Sequence, residues 1–158
     1  MSLMNINRFF IFLILLIIFS PSYAAWTEAV SMAQSHVKEA KSLIQKGLFD
    51  NAIDELERAI KLYPDFAEAY FLLGNVYFKR SELELARNSY LSALKIDPFN
   101  GDIYYNLGET YFKLGKSKDA IELYSRAIQL DENDGFLYNS LARAYESIDD
   151  KDRALENY

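Results

Sequence analysis

From Phe9 to Phe19 the chain is apolar without a break, FFIFLILLIIF, and beyond residue 25 the pattern changes. Apolar positions there fall three and four residues apart. Within Ala67 to Asn100, Tyr70, Leu73, Gly74 and Tyr77 sit at i, i+3, i+4 and i+7, one stripe of an amphipathic helix. Ala86, Tyr90, Ala93, Leu94 and Ile96 form a second apolar face. Ser81 is placed to cap that second helix, with Glu82 and Glu84 in its first turn against the macrodipole. Asp97-Pro98 ends it, because the residue before proline is pushed out of the α region. No segment alternates with period two, so strands are not expected.

The helical pattern repeats every 34 residues. Ala52, Ala86, Ala120 and Ala154 form one series, and Ala59, Ala93 and Ala127 a second. Small residues recur at Ala40, Gly74, Gly108 and Ala142. Larger ones recur at Leu43, Tyr77, Tyr111 and Tyr145, and again at Leu56, Tyr90, Tyr124 and Tyr158. Pro64 and Pro98 continue the period, with Glu132 where a third proline would fall. A period in this range implies stacked helical hairpins, each too small to bury its own apolar face. Gly74 and Gly108 stand mid-helix, where glycine costs about 1 kcal/mol relative to alanine. Close packing against Ala86 and Ala120 is the expected compensation, with tyrosine and leucine filling the gaps between hairpins.

These residues resemble the tetratricopeptide repeat (TPR), a 34-residue helix–turn–helix. Residues 67–100 match through Tyr70, Leu73, Gly74, Tyr77, Ala86, Tyr90, Ala93 and Pro98. Residues 101–134 match through Tyr104, Leu107, Gly108, Tyr111, Ala120, Tyr124 and Ala127. Residues 33–66 match more loosely, with His36 and Glu39 where an aromatic and a leucine are usual. Residues 135–158 match through Tyr138, Leu141, Ala142, Tyr145, Ala154 and Tyr158. The resemblance implies an all-α fold, a right-handed superhelix of antiparallel hairpins with three full repeats and part of a fourth. Residues 25–32 read as a helical extension, with Thr27 as its cap. The last helix, from about Lys151, lacks a polar cap. The expectation is that the native chain continues, or that a partner or second copy covers Leu141, Tyr145, Leu155 and Tyr158.

The opening segment has another character. Arg8 supplies a positive charge, the apolar run follows, and Ser20-Pro21-Ser22-Tyr23-Ala24-Ala25 ends it with a helix breaker and small residues. That is the order of a secretory signal over residues 1–24, cleaved after Ala24 with Ser22 and Ala24 at the small positions. An uncleaved anchor is the rival reading. Eleven apolar residues fall short of the roughly 20 that a spanning helix needs.

Composition narrows the chemistry. Cysteine is absent and histidine occurs once, which removes thiolate metal sites, thiol nucleophiles and paired-histidine motifs. A net charge of −6 disfavours broad nucleic-acid binding. No P-loop, dinucleotide fingerprint, serine elbow or fixed carboxylate pair is present, so neither an enzyme nor a cofactor is expected. Asp131-Glu132-Asn133-Asp134-Gly135 resembles a calcium loop only in part and reads as a turn between repeats. His36 reads as a surface or end-repeat residue.

In the family, the first helices of successive repeats line a concave groove that takes peptides. The resemblance places Lys41, Gln45, Phe71, Asn75, Phe78, Lys79, Asp102, Tyr105, Asn106, Glu109, Phe112, Lys113, Asn139, Arg143 and Glu146 there. Phe71, Phe78, Tyr105 and Phe112 lie off the packing stripe, as anchors for a partner would. The alternative is that they pack on adjacent repeats. Asn75 and Asn106 resemble half of a carboxylate clamp. Phe71, Phe136 and Ser140 stand where its cationic partners belong, so a clamp is not expected. The chain therefore reads as an exported interaction module for a protein or peptide, periplasmic if bacterial. The alternatives are the recognition arm of a larger protein and a structural protein that dimerises through its C-terminal end.

Overall fold

The computed structural model describes residues 21–131 and 135–158, all of them in helices or short connections. The helices are α1 (Pro21–Gln45), α2 (Phe49–Leu62), α3 (Ala67–Lys79), α4 (Leu83–Ile96), α5 (Gly101–Lys113), α6 (Ser117–Leu130), α7 (Gly135–Glu146) and α8 (Lys151–Asn157). There is no strand among the described residues. Each helix packs on the next, and the first helices α1, α3 and α5 also touch one another in turn. This is a TPR solenoid. Residues Met1–Ser20, and with them nearly all of the expected export segment, lie outside the described residues. So do 132–134, on which the turn reading of Asp131–Gly135 falls.

Three apolar clusters run along the stack. Ala33, Val37 and Ala40 of α1 meet Ala52, Leu56 and Ala59 of α2 and reach Ala69, Leu73 and Val76 of α3. Ala86, Tyr90 and Ala93 of α4 meet Ile103 and Leu107 of α5. Ala120 and Tyr124 of α6 meet Leu141 and Ala144 of α7. Tyr77 joins the first cluster to the second, and Tyr111 the second to the third. These two tyrosines fill the gaps between hairpins, as expected. Tyr90 and Tyr124 are fully buried and do both: they join the clusters with α5 and α7, and their rings also fill the inside of their own hairpins.

The glycines explain why. A Cβ built on Gly74 would fall 2.5 Å from Tyr90 Cε1, and one on Gly108 would fall 2.7 Å from Tyr124 Cε1. The close approach is therefore between glycine and a tyrosine ring, not between glycine and Ala86 or Ala120. The first hairpin solves the same problem with smaller groups, Ala40 and Leu56, both fully buried.

The turns within the hairpins are also periodic. Gly47, Ser81, Gly115 and Asp149 all have positive φ, between 61° and 74°. After each of them a six-residue hydrogen bond closes the helix: Leu48 N to Leu43 O, Glu82 N to Tyr77 O, Lys116 N to Tyr111 O and Asp150 N to Tyr145 O. This is the Schellman closure of a helix C-terminus. Ser81 thus ends α3 rather than capping α4, whose N-cap is Glu82 without a side-chain cap. Thr27 is not a cap either. It stands inside α1, and its hydroxyl donates to Ala24 O at 2.8 Å. Side-chain caps occur at Asn100, which accepts from Ile103 N, and at Asp150, which accepts from Arg153 N.

At the C-terminal end Leu141 is buried and Tyr145 is packed on the third cluster, beneath the Arg153 guanidinium. Neither needs a partner to cover it. Leu155 and Tyr158 are 75% and 64% exposed. His36, in the end repeat, is partly exposed, and its Nδ1 lies 2.6 Å from Glu55 Oε2 on α2.

Candidate partner-binding face

Residues 34 apart on α1, α3, α5 and α7 form rows across the stack. One row is Lys41, Asn75, Glu109 and Arg143. Its middle members are reached from below: the ring of Tyr90 passes under Gly74, and its hydroxyl donates to Asn75 Oδ1 at 2.7 Å. Tyr124 passes under Gly108 and donates to a carboxylate oxygen of Glu109. Burial pushes the Tyr90 phenol well above its usual range. Burial does the same for Tyr124, reinforced by the hydrogen bond to Glu109, whose charge makes loss of the phenol proton costlier still.

A second row is aromatic. Phe71 lies against Tyr90, ring centroids 6.0 Å apart, and Tyr105 lies against Tyr124 at 5.9 Å and Phe136 at 5.5 Å. Phe78 and Phe112 form a third row near the C-terminal ends of α3 and α5. The Lys113 ammonium stands 4.5 Å from the Phe78 centroid, and the Arg143 guanidinium 5.3 Å from that of Phe112. Arg143 Nη2 also lies 3.8 Å from Glu109 Oε1. All four aromatics are half-buried. Phe71 and Tyr105 pack on rings of the neighbouring second helix, and all four keep part of their surface exposed.

The structure therefore gathers Phe71, Asn75, Phe78, Tyr105, Glu109, Phe112, Lys113 and Arg143 into one connected surface. Lys41 is exposed and paired with Glu68 of α3 at 2.6 Å. Asn106 turns back on its own helix, donating to Asp102 O at 2.7 Å. Lys79, Asn139, Gln45, Asp102 and Glu146 are exposed. The two asparagines of the partial clamp thus have separate partners, and Ser140 is buried. No group of three or more His, Asp or Glu among the described residues is placed to hold a metal.

Family profiles described as TPR repeat match residues 40–81 and 74–115, and one described as tetratricopeptide repeat matches 101–134. The chain belongs to the tetratricopeptide-repeat family. Among solved structures, the crystal structure of MamA is 30% identical, covering 79% of this chain and 73% of that chain, with a TM-score of 0.77. A MamA structure from Desulfovibrio magneticus RS-1 is 22% identical over 79% of this chain and 71% of that one, TM-score 0.74. The first TPR of Spaghetti (RPAP3), bound to the HSP90 peptide SRMEEVD, shares the fold at 19% identity. It covers 76% of this chain and 95% of that one, with a TM-score of 0.74. No curated protein matches.

Sequence reasoning passed over the residues at the N-terminal ends of these helices. Glu68, Asp97, Phe99 and Asp131 line two clefts there, together with Phe71, Asp102, Tyr105 and Phe136. The signal was available in the same period, since Glu68 and Asp97 recur as Asp102 and Asp131.

Proposed function

We propose that this chain is an exported, non-catalytic interaction module that binds a peptide or protein segment across its first helices. The observation that carries the reading is the pair of half-buried aromatic rows, Phe71 with Tyr105 and Phe78 with Phe112, on consecutive first helices. A stacked core needs aromatics on the side facing the second helices. These four hold one face toward solvent, as residues that anchor a partner do. A TPR domain of the same fold takes a peptide, the HSP90 segment in the RPAP3 structure, which supports the same use here. Export rests on the order of charge, apolar run and small residues in 1–24, and in a bacterium implies the periplasm.

Selection of random displayed peptides on the immobilised full chain tests the binding reading. Peptides should be recovered, and the Phe78→Ser, Phe112→Ser double variant should bind them at least about tenfold more weakly. Helical circular dichroism of that variant should persist. Equal binding by a well-folded double variant overturns the reading. N-terminal sequencing of exported material should find Ala25 first; a mature chain that still starts at Met1 overturns the cleavage.

A further inference from the structure

Two clefts lie one repeat apart, where the N-terminal end of a first helix meets the end of the preceding second helix. One, of about 530 Å³, includes Phe66, Glu68, Phe71, Asp97 and Ile103 in its lining. The other, of about 600 Å³, includes Phe99, Asp102, Tyr105, Asp131 and Phe136. Glu68, Phe71, Asp97 and Ile103 recur 34 residues later as Asp102, Tyr105, Asp131 and Leu137, so the chain builds one site twice. The first copy combines three carboxylates, Asp65, Glu68 and Asp97, and the second two, Asp102 and Asp131, with aromatic surface, and no lysine or arginine is among the described residues that line either.

Phe99 stands in the second copy where the first has Asp65, and the copies also differ in how the acid on the first helix is paired. In the first, Lys41 reaches Glu68 at 2.6 Å and supplies a cation from within the chain. One repeat after Lys41 stands Asn75, which is neutral and already accepts the Tyr90 hydroxyl. Asp102 makes no ion pair among the described residues. The nearest cation of the same helix in sequence, Lys113, is about 16 Å along the axis and sits over Phe78. Phe99 and Phe136 are 74% and 59% exposed at the rim of this second cleft. Carboxylates beside open aromatic faces attract a basic side chain twice, by charge-assisted hydrogen bonds and by cation–π contact.

We propose that the second cleft anchors a lysine or arginine side chain of an extended basic peptide, and that the first cleft is a weaker subsite for a second one. Packed helices such as α3 and α5 lie about 8–10 Å apart. In a polyproline II peptide, side chains at i and i+3 point the same way and are separated by about 9 Å. The partner thus carries basic residues three apart. This assignment rests on the peptide-binding reading of the face.

Random dodecapeptides selected on the full chain, then labelled and titrated by fluorescence anisotropy, test it. The selected sequences should be rich in Lys or Arg at three-residue spacing. Asp102→Asn should weaken them by about tenfold. Glu68→Gln should weaken them less, and Asp102→Lys should remove binding; Asp102 is exposed, so helicity should be unchanged in its variants. Raising salt should weaken binding. Acidic or uncharged selected peptides, or no effect of Asp102→Asn, overturn the proposal while leaving the peptide-binding face intact. Recovery of no peptide at all overturns both.

Discussion

Replacing Gly74 by alanine puts the packing account at risk, because helix propensity and packing predict opposite signs. Propensity alone favours the change by up to about 1 kcal/mol in a helix interior. The structure opposes it: the added methyl would lie 2.5, 2.6 and 2.9 Å from Tyr90 Cε1, Cδ1 and Cζ. Ordinary carbon contacts are about 3.5–4.0 Å, so the ring must retreat by about 1 Å. It has little room to do so, being fully buried with its hydroxyl held by Asn75. Overpacking of this kind costs about 1–3 kcal/mol. We expect Gly74→Ala to destabilise the chain by about 1–2 kcal/mol, a fall in Tm of roughly 2–8 °C. The first hairpin suggests the rescue, because Ala40 and Leu56 stand at the equivalent positions there, both buried in one cluster. In a double-mutant cycle by thermal and urea denaturation, Gly74→Ala with Tyr90→Leu should be more stable than the sum of the single changes by about 1 kcal/mol. A single variant as stable as the native chain, or an additive cycle, refutes the glycine–tyrosine argument.

Ser81→Gly should raise the urea midpoint by the equivalent of about 0.5–1 kcal/mol, because Ser81 has φ 62° where two other turns of the same register use glycine. An unchanged or lower midpoint contradicts that. Alkaline pH should unfold the chain. Tyr90 and Tyr124 are raised by burial, so their contribution is complete below the unfolded-state pKa near 10. It is lost as pH rises above that value, at about 1.4 kcal/mol per pH unit for each tyrosine. Phenolate absorbance should appear together with loss of helical dichroism, and Tyr90→Phe with Tyr124→Phe should flatten the dependence. Full tyrosine ionisation with helicity intact speaks against it. Lys41→Met removes the cation paired with Glu68 and should strengthen binding of selected basic peptides by about two- to fivefold, measured by anisotropy. Weaker binding argues against the first cleft as a subsite.

The repeat period and the helices were legible because each rests on residue spacing; the candidate face came with the family resemblance, which distinguishes first helices from second. What spacing could not supply was the partner of each small residue. Gly74 lies twelve residues before Ala86 and sixteen before Tyr90, and the period is equally regular for both pairs. Only the path through the turn decides between them. Ser81 was misread for a different reason. Serine favours an N-cap, but closing α3 needs a left-handed residue at that position. The register of Gly47, Ser81, Gly115 and Asp149 was present in the sequence, outside the apolar series that carried the period. Phe71 and Tyr105 stand off the helical stripe, yet they are half-buried because a first helix in this stack is touched by more than one neighbour. The clefts needed the fold, since Asp97 ends α4, Asp131 follows α6, and their aromatic neighbours come from other helices.

Amide chemical-shift mapping of the full chain with a selected peptide tests the central claim most directly. The account predicts that the largest perturbations fall on α3 and α5, around Phe71, Phe78, Asp102, Tyr105 and Phe112, with α2, α4 and α6 little changed. Perturbations concentrated on those second helices, with the aromatic rows of α3 and α5 unmoved, would contradict it.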